Sequence, residues 1–413
     1  MGDKMINRDG YLNKIKPYID TELIKVIVGV RRSGKSVFLK LIQNYLFSLG
    51  VDVSQVVSIN FEELANEDLL DYHKLNQYLE DKIKNNTLKT YIFLDEIQEV
   101  DLFEKVINSI RATYSDKVDI YITGSNAKLL SSEISTLLAG RYIQIEMYPF
   151  NFSEYVGAKK DLGIQKSHDE LFMEYTMEGG IPFLASHDFS ISDSNRYLED
   201  IYNSIILKDI ISREKVRDVD ILQKLIKFIF SNIGRPFSAN SIVKYLKSES
   251  VNISVPTVLN YLSFAENAYA IRSVKAYDIQ GKKHLRSQSK YYVFDHGLKQ
   301  AIVGRNDNDI EQVLGNIVFN ELMVRDYSVS VGKTGNYEVD FIAQRIVEKE
   351  KEIVYIQVCY LMASEDMRNR EFRALEEIND NYEKIVLSLD PITSDRNGIK
   401  HRNIVDWLLG KER

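Results

Sequence analysis

The stretch from Lys25 to Ser36 constrains the fold of this chain more than any other. A short β-branched run leads into Gly29-Val30-Arg31-Arg32-Ser33-Gly34-Lys35-Ser36, which fits the spacing G-x-x-x-x-G-K-[ST] without a gap, and a helical pattern follows. The glycines let the backbone curl so that its N–H groups point inward at phosphate oxygens, and the helix aims the positive end of its dipole at the same charge. The stretch therefore predicts a nucleotide site.

The residue types of this loop fit ATP with Mg²⁺. We expect the backbone of residues 29–36 to cradle the phosphates, the Lys35 ammonium to reach the β- and γ-phosphates, and the Ser36 hydroxyl to take one position on Mg²⁺. The alternative is a chance glycine turn before a helix, which average composition allows roughly once in a hundred chains of this length. The strand before the loop and the helix after it favour the nucleotide site.

The composition bounds the class of protein. At 413 residues the chain is long enough for two or three domains. The single cysteine, Cys359, excludes an internal disulfide framework and a cysteine zinc site. No apolar run approaches the length of a signal peptide core or a membrane span, so we expect a cytoplasmic protein without a membrane partner.

Strand and helix patterns alternate through the first part of the chain. Most of the strand candidates are continuous apolar runs, as strands buried on both faces should be. The candidates are Lys25–Val28, Val56–Asn60, Tyr91–Asp95, Val118–Thr123 and Tyr142–Met147. This alternation predicts an α/β fold whose parallel sheet carries helices on both sides.

Two acids, Asp95 and Glu96, follow the third strand candidate. We expect Asp95 to hold Mg²⁺ through water and Glu96 to polarise the water that attacks the γ-phosphate. The alternative is a strand that simply meets solvent at an acidic pair. The phosphate-binding loop upstream favours the catalytic interpretation.

Polar residues also follow the fourth strand candidate, which ends in Thr123-Gly124-Ser125-Asn126. Asn126, or Ser125 in its place, could orient water against the γ-phosphate. The alternative is that Asn126 caps a helix at 127–130, a position that asparagine favours. The two roles do not exclude each other.

An arginine, Arg141, comes directly after a predicted helix over 131–139 and its terminal Gly140. From this position Arg141 could reach the γ-phosphate of a neighbouring subunit and stabilise charge in the transition state. The alternative is an exposed arginine at a helix end, where the helix dipole favours it.

These motifs occur together and in order, and a resemblance follows from them. The marks are Gly29–Ser36, Leu94-Asp95-Glu96, Thr123-Gly124-Ser125-Asn126 and Ala139-Gly140-Arg141, then Pro149-Phe150-Asn151-Phe152-Ser153-Glu154-Tyr155 and Gly179-Gly180-Ile181-Pro182. Over nearly its whole length the chain resembles a large prokaryotic family of AAA-type ATP-binding proteins with a C-terminal region of unassigned function. The resemblance implies the strand order 5-1-4-3-2 and a ring-like or paired assembly, and so a homo-oligomer.

We divide the chain into four parts. Residues 1–150 are the ATPase core, and residues 151–216 read as the small helical lid of related ATPases, in which Arg196 or Arg213 could be a second sensor arginine. Residues 217–305 show three helices and a hairpin, the pattern of a winged helix-turn-helix. Residues 306–413 follow as an α/β domain.

The winged-helix region carries the best argument for nucleic acid. Residues 217–300 hold 13 Lys and Arg against 6 Asp and Glu, a net charge of +7, whereas the whole chain carries −7. Lys282, Lys283 and Arg286 lie in the predicted hairpin and could contact phosphate without reading sequence. The presumed recognition helix carries Ser254, Thr257 and Asn260 but no Lys or Arg, so base readout by arginine is not expected. The alternative is a winged helix that docks protein.

The order of elements in residues 306–413 resembles the core of restriction-endonuclease-like proteins. A helix with Glu321 precedes three strands, and Asp340 lies on the second. Active members of that group end the third strand in Glu-x-Lys, but the matching positions here are Gln357 and Cys359. We therefore expect a degenerate domain that does not cut DNA.

Taken together, the motifs favour an Mg-dependent ATPase that acts as a motor or clamp on DNA without sequence specificity. Two alternatives stay open at this point. One is a nucleotide-controlled signalling switch that binds a protein partner through its C-terminal half, and the other is a metal nuclease gated by ATP.

Overall fold

Five strands in the N-terminal part of the chain form one parallel sheet. They are β1 (Ile24–Val28), β2 (Val56–Asn60), β3 (Thr90–Asp95), β4 (Val118–Gly124) and β5 (Tyr142–Glu146). The sheet order is β2-β3-β4-β1-β5, which is the order that the family resemblance implies. The computed structural model describes residues 5–127, 140–214 and 216–411, without the side chains of residues 207, 285–288 and 307.

The burial of each strand agrees with its position in the sheet. Every residue of β1, β3 and β4 is buried, which is the pattern of central strands covered on both faces. Strand β2 alternates between buried and more exposed residues, and β5 buries only Ile145 fully, so these two form the edges. The α/β fold class predicted from the alternating pattern is confirmed.

Helices cover this sheet. They are α1 (Asp9–Ile15), α2 (Lys35–Ser48), α3 (Tyr72–Lys84) and α4 (Phe103–Tyr114), with 3-10 turns at Lys16–Tyr18, Val53–Gln55, Leu64–Leu70, Ile97–Glu99 and Ser115–Lys117. Tyr11 of α1 and Phe38 of α2 pack edge to face, with ring centroids 6.1 Å apart, in a core shared with β1, β3 and β4. The predicted helix over 131–139, and residues 128–130 of the one before it, lie outside the described residues.

The chain divides into two compact units. The first comprises residues 1–147 with 267–269, and the second comprises residues 148–266 with 270–413. The further division of the second unit into a lid, a winged helix and an α/β domain stays a prediction.

The second unit contains one mixed sheet and its own helices. Its strands are β6 (Pro236–Phe237), β7 (Ile271–Asp278), β8 (Lys283–Val293), β9 (Ser328–Thr334), β10 (Tyr337–Val347), β11 (Glu350–Val358), β12 (Glu383–Ser388) and β13 (Lys400–Asn403). Its helices are α5 (Phe152–Asp161), α6 (His168–Glu178), α7 (Pro182–Ala185), α8 (Ile191–Ser204), α9 (Ser212–Glu214), α10 (Val219–Phe230), α11 (Ala239–Ser248), α12 (Val255–Asn267), α13 (His296–Val303), α14 (Ile310–Val324), α15 (Glu365–Glu376) and α16 (Ile404–Leu408), with a π-helix at Ile205–Ile211 and a 3-10 turn at Asp307–Asp309. The strand order is β13-β12-β11-β10-β9-β7-β8-β6.

The hairpin of β7 and β8 is longer than its apolar pattern predicts. The sequence indicates a strand only from Lys290, whereas β8 begins at Lys283 and pairs antiparallel with β7 as far as Asp278. The sequence of its first half is mostly polar, so no apolar run marks this part of the strand. The basic residues predicted to lie in the turn therefore lie at the turn and on the strand itself.

The Gly179–Pro182 turn packs against the start of α13. The Gly180 N–H donates to Asp295 Oδ2 at 2.7 Å, and the Leu298 N–H donates to Asp295 Oδ1 at 3.3 Å. A Cβ on Gly180 would lie 2.0 Å from the Phe150 carbonyl oxygen, so only glycine fits. This close packing gives the two glycines of the motif a structural role.

None of the helices in the described part of the chain has the length and apolar content that crossing a bilayer requires.

Candidate functional site

The phosphate-binding loop connects β1 to α2 at the carboxyl edge of the parallel sheet. Gly34 has a φ of +96° at the N-terminus of α2. Gly29 has a φ of +152°, and a Cβ there would lie 2.2 Å from the Met147 carbonyl oxygen. Both positions therefore require glycine, which is the reason for the spacing of the motif.

Lys35 is buried inside this loop. Its Nζ donates to the carbonyl oxygens of Gly29 at 3.2 Å and Val30 at 3.3 Å, and it lies 3.5 Å from Glu96 Oε1. The two carbonyl contacts are long and neutral, and the Glu96 carboxylate lies 3.5 Å away, so phosphate oxygens would offer this buried ammonium closer charged partners. The loop thus holds the Lys35 ammonium where it can bind a triphosphate.

Oxygen ligands for a metal gather beside Lys35. The Thr123 hydroxyl donates to Asp95 Oδ1 at 2.5 Å, and Ser36 also donates to the Asp95 carboxylate. Burial raises the pKa of Asp95, and these two hydroxyls act against that rise. Asp95 and Ser36 therefore lie together, as the sequence predicts.

This pair fits Mg²⁺ in a nucleotide site. Within the described ranges, no group of three or more His, Cys, Asp or Glu side chains is arranged to hold a metal by itself. Mg²⁺ bound with a nucleotide takes one or two protein oxygens and completes its shell with phosphates and water. One carboxylate and one hydroxyl are what such a site needs.

Glu96 is held in an unusual backbone conformation at the end of β3. Its φ is +55°, and its N–H donates to the Thr123 hydroxyl at 2.9 Å. Gln98 Nε2 donates to Glu96 Oε2 at 2.5 Å. Burial works to raise the pKa of Glu96, but Lys35, Gln98, Arg31 and Ser125 outweigh burial and hold the pKa below its usual value. Glu96 is therefore ionised at neutral pH, as a general base must be.

The remaining loop residues differ in their surroundings. Ser33 is fully buried, and its hydroxyl has no hydrogen-bond partner within the described ranges. Arg31 pairs with Glu62 at 3.1 Å near the surface, whereas Arg32 is exposed. A phosphate oxygen bound in the loop would accept a hydrogen bond from this buried Ser33 hydroxyl.

Ser125 and Asn126 are both buried at the end of β4, next to the acids of β3. Ser125 hydrogen-bonds to the Glu96 carboxylate. The structure thus brings Ser125, the alternative residue, into contact with the proposed base. A contact between Asn126 and the γ-phosphate stays a prediction.

Arg141 lies at the amino-terminal ends of the parallel strands, whereas the phosphate-binding loop lies at their carboxyl ends. Its carbonyl oxygen accepts from the Ile24 N–H at 3.1 Å, at the start of β1, whereas the phosphate-binding loop follows the end of β1. The Arg141 side chain is exposed and close to Arg111, whose pKa is lowered by burial and by the charge of Arg141. Arg141 therefore lies away from the phosphate-binding loop of its own chain, and a role in the pocket of a neighbouring subunit stays a prediction.

Two of the three predicted nucleic-acid contacts are exposed. Lys282 lies in the turn between β7 and β8 with a φ of +50°, and Lys283 begins β8. The side chain of Arg286 lies outside the described residues. On the presumed recognition helix, the Ser254 and Thr257 hydroxyls bond to each other at 2.8 Å.

Of the two candidate sensor arginines, Arg213 lies 3.4 Å from the fully buried Asp209 carboxylate, and Arg196 is exposed on α8. The Arg213 pair is a structural contact within the second unit. A role for either arginine in sensing nucleotide stays a prediction.

A second candidate site is a cleft of about 450 Å³ in the second unit. Asp340 and Gln357 line it, as the endonuclease-like pattern predicts. Lys290 of β8 is buried there, with its Nζ 2.7 Å from Glu338 Oε1 and 3.3 Å from Asp340 Oδ1. Burial acts to lower the pKa of Lys290, but Asp340, Tyr292 and Glu338 outweigh burial and raise the pKa above its usual value. The ammonium is thus a permanent counter-ion for the carboxylates of this cleft.

Glu321 is not part of this cleft, contrary to the prediction from element order. It lies on α14 beside Arg325, whose Nε donates to Glu321 Oε1 at 2.6 Å, and it lines a separate small cavity with Asn151 and His296. The carboxylate that does lie beside Gln357 is Glu371 of α15, which accepts from Gln357 Nε2 at 3.1 Å. Cys359 is buried, and burial raises the pKa of its thiol, so it is a neutral side chain.

Sequence reasoning missed Thr123, Gln98 and Lys290. Thr123 could have been found from strand order, since β4 lies beside β3 and ends level with it. Gln98 follows Glu96 by two residues, and only the 3-10 turn after β3 brings it back to the carboxylate. The sequence around Lys290 does not indicate its role, because its carboxylate partners lie about fifty residues further along the chain.

Comparison with known proteins identifies the family. Residues 21–156 match a family described as an AAA domain, and residues 169–309 match a domain of unknown function (DUF8612). An uncharacterized protein of Haemophilus influenzae is 38% identical over 410 residues, which cover 99% of this chain and 100% of that protein. The chain belongs to an AAA-type P-loop protein family.

Further relatives extend this AAA-type family to archaea. The uncharacterized protein MJ1544 of Methanocaldococcus jannaschii is 31% identical over 420 residues, which cover 98% of this AAA-type chain and 88% of that protein. Among solved structures, the Walker-type ATPase PABY2304 of Pyrococcus abyssi is similar with a TM-score of 0.50 and 14% identity, covering 73% of this chain and 96% of that one. At that identity the likeness shows a common fold alone.

Proposed function

We propose that this AAA-type protein binds ATP with Mg²⁺ and hydrolyses it to ADP and phosphate. The observation that carries the proposal is the cluster of Lys35, Asp95 and Glu96 at the mouth of the phosphate-binding loop. Lys35 would bind the β- and γ-phosphates, and Ser36 and Asp95 would hold the metal, which when bound neutralises phosphate charge. Glu96, ionised and buried, would take a proton from the attacking water.

We infer that Arg141 completes the active site of a neighbouring copy in a homo-oligomer. Support comes from its exposed side chain and from its place at the sheet edge remote from its own loop. An arginine supplied in this way stabilises charge that develops on the γ-phosphate in the transition state.

We further propose that the basic hairpin of β7 and β8 contacts DNA without reading its sequence. Its support is the net charge of +7 over residues 217–300 and the exposure of Lys282 and Lys283. The alternative, a nucleotide-controlled switch that binds protein, is favoured by the absence of Lys and Arg from the presumed recognition helix. ATP-gated DNA cleavage is the weakest candidate, because Lys290 and Arg370 neutralise carboxylates of the cleft.

The test is the rate of ATP hydrolysis with and without single-stranded, duplex and branched DNA, at two salt concentrations. A DNA-stimulated rate that falls with salt supports the motor or clamp. Hydrolysis that ignores every DNA form, together with capture of a cellular protein in its place, supports the switch. A purified protein with no hydrolysis under any of these conditions overturns the ATPase proposal itself.

A further inference from the structure

Gln98 contacts Glu96 but has no role in the reaction proposed above. It lies in the 3-10 turn Ile97–Glu99, which begins directly after Glu96. The turn is closed by the Glu99 N–H donating to the Glu96 carbonyl at 3.1 Å and the Val100 N–H donating to the Ile97 carbonyl at 3.0 Å. These bonds fix the backbone on both sides of Gln98, so its side chain starts from a defined position.

The two oxygens of the Glu96 carboxylate have different partners. Oε1 faces the Lys35 ammonium at 3.5 Å, which is the side on which phosphate would bind. Oε2 accepts from Gln98 Nε2 at 2.5 Å, and Ser125 also hydrogen-bonds to this carboxylate. Because a carboxylate only accepts hydrogen bonds, the nitrogen of the amide must be the atom that faces it.

The other end of the Gln98 amide is left without a partner. Its Oε1 is buried and makes no hydrogen bond within the part of the chain that the structure describes. A buried acceptor without a donor is unfavourable and is rarely kept in a protein interior without a reason. The backbone of Glu96 adds a second unfavourable feature, a φ of +55° in a residue that is not glycine.

We propose that Gln98 is a positioning residue for Glu96, a role that rests on the proposed ATP hydrolysis. Gln98 anchors Oε2, and Oε1 is thereby left facing the phosphate side. When phosphate oxygens take over the Lys35 ammonium, Oε1 becomes the oxygen that accepts a proton from water. Without the anchor, the carboxylate keeps its bond to Ser125 but can turn so that Oε2 also approaches Lys35, and the base then no longer faces the water.

The test compares Gln98→Met with wild type. Methionine keeps the length of the side chain but has no N–H to donate. We expect kcat to fall at least about tenfold, while the affinity for a fluorescent ATP analogue and the melting temperature change little. Gln43→Met is the matched control, since Gln43 is a half-buried residue of α2 whose amide also donates one hydrogen bond, to the Ser58 hydroxyl. Gln98→Glu, which keeps the shape but repels Glu96, should show the same loss and serves if Gln98→Met does not fold.

A double-mutant cycle separates positioning from a structural role. In a Glu96→Gln background, Gln98→Met should cost nothing more, because both changes disable the same base. Equal kcat for Gln98→Met and wild type, or a full additional loss in the Glu96→Gln background, would overturn the inference. If wild type hydrolyses no ATP, the proposed function fails instead, so the two failures are distinguishable.

Discussion

At the scale of single residues, Lys35 carries the charge on which we expect nucleotide binding to depend. We expect Lys35→Ala to lose tight ATP binding, because the loop then loses the buried ammonium that would bind the β- and γ-phosphates. Glu96→Gln should bind ATP as wild type does and trap it, because it loses only the base. Binding by fluorescence and turnover by phosphate release measure the two effects.

Lys40→Ala, an exposed change on the same helix, is the control for both variants. Equal turnover by Glu96→Gln and wild type would remove Glu96 from its catalytic role. ATP binding that survives Lys35→Ala unchanged would contradict the assignment of the loop.

The sequence predicts which residues form the site better than it predicts the contacts of their side chains. Motif spacing was sufficient to bring Ser36, Asp95 and Glu96 together, because the edge of a parallel sheet collects the ends of its strands. It could not predict that Ser125 hydrogen-bonds to the Glu96 carboxylate. That contact depends on side-chain rotamers at the end of β4, and the spacing of polar residues carries no information about rotamers.

At the scale of elements, the hairpin of β7 and β8 is the proposed DNA contact. Neutralising Lys282, Lys283 and Arg286 together should weaken DNA binding, because the hairpin then attracts fewer phosphates. The slope of log affinity against log salt should decrease by about one unit for each phosphate group that the variant no longer binds. Fluorescence anisotropy with labelled duplex at several salt concentrations measures this slope.

A control neutralises two exposed lysines elsewhere, Lys349 in the turn between β10 and β11 and Lys351 at the start of β11. If the triple variant binds DNA as wild type does, the hairpin is not the contact, and the protein-docking alternative leads.

The contact of Asp295 with the Gly179–Pro182 turn predicts a pH effect on stability. Burial raises the pKa of Asp295 to about 7, although three backbone N–H groups act to lower it. In the unfolded chain this carboxyl has a pKa of about 3.9. The folded protein therefore keeps a proton that the unfolded chain releases, and this contribution to stability declines as pH rises from about 4 to 7.

The variant Asp295→Asn isolates this group, because the asparagine amide does not titrate. Between pH 5 and pH 8, the urea midpoint of wild type should fall relative to that of Asp295→Asn. A constant difference between the two midpoints over this range would show that the carboxyl does not titrate there.

At the scale of the whole molecule, the proposed assembly can be tested by mixing defective subunits. Arg141→Ala should lower kcat by orders of magnitude and leave nucleotide affinity near wild type. Mixed with Lys35→Ala it should regain part of its activity, because one variant keeps its pocket and the other keeps its arginine. No recovery in an assembly shown to exchange subunits would contradict action between subunits.

The C-terminal cleft should not cut DNA. Mg²⁺ gives up its water reluctantly and needs free anionic oxygens, but Lys290 pairs with Asp340 and Glu338, and Arg370 Nη2 lies 2.6 Å from Glu371 Oε1. The assay is cleavage of single-stranded, duplex and branched DNA with Mg²⁺ or Mn²⁺, with and without ATP. Cutting that disappears in Asp340→Ala but persists in Lys35→Ala would promote the nuclease alternative.

The sequence was a weaker guide to the second unit than to the first. The α-β-β-β order of α14, β9, β10 and β11 was predictable, because each element has its own hydrophobic period. The surroundings of Asp340 were not, because Lys290 and Glu371 come from distant elements and share no spacing with it. Contacts of this kind depend on which strands and helices pack together in the folded unit, and a linear pattern does not record that packing.

Strand β5 connects Arg141 with the surroundings of the phosphate-binding loop. It begins next to Arg141, and the chain that leaves it places the Met147 carbonyl against Gly29 while the Met147 N–H donates to Val28 at 2.7 Å. Five residues of extended chain span about 17 Å. In the proposed assembly, each arginine offered to a neighbour would therefore be connected through one strand to the loop of its own chain, so a backbone change at one loop would have a direct covalent path to the arginine in the next pocket.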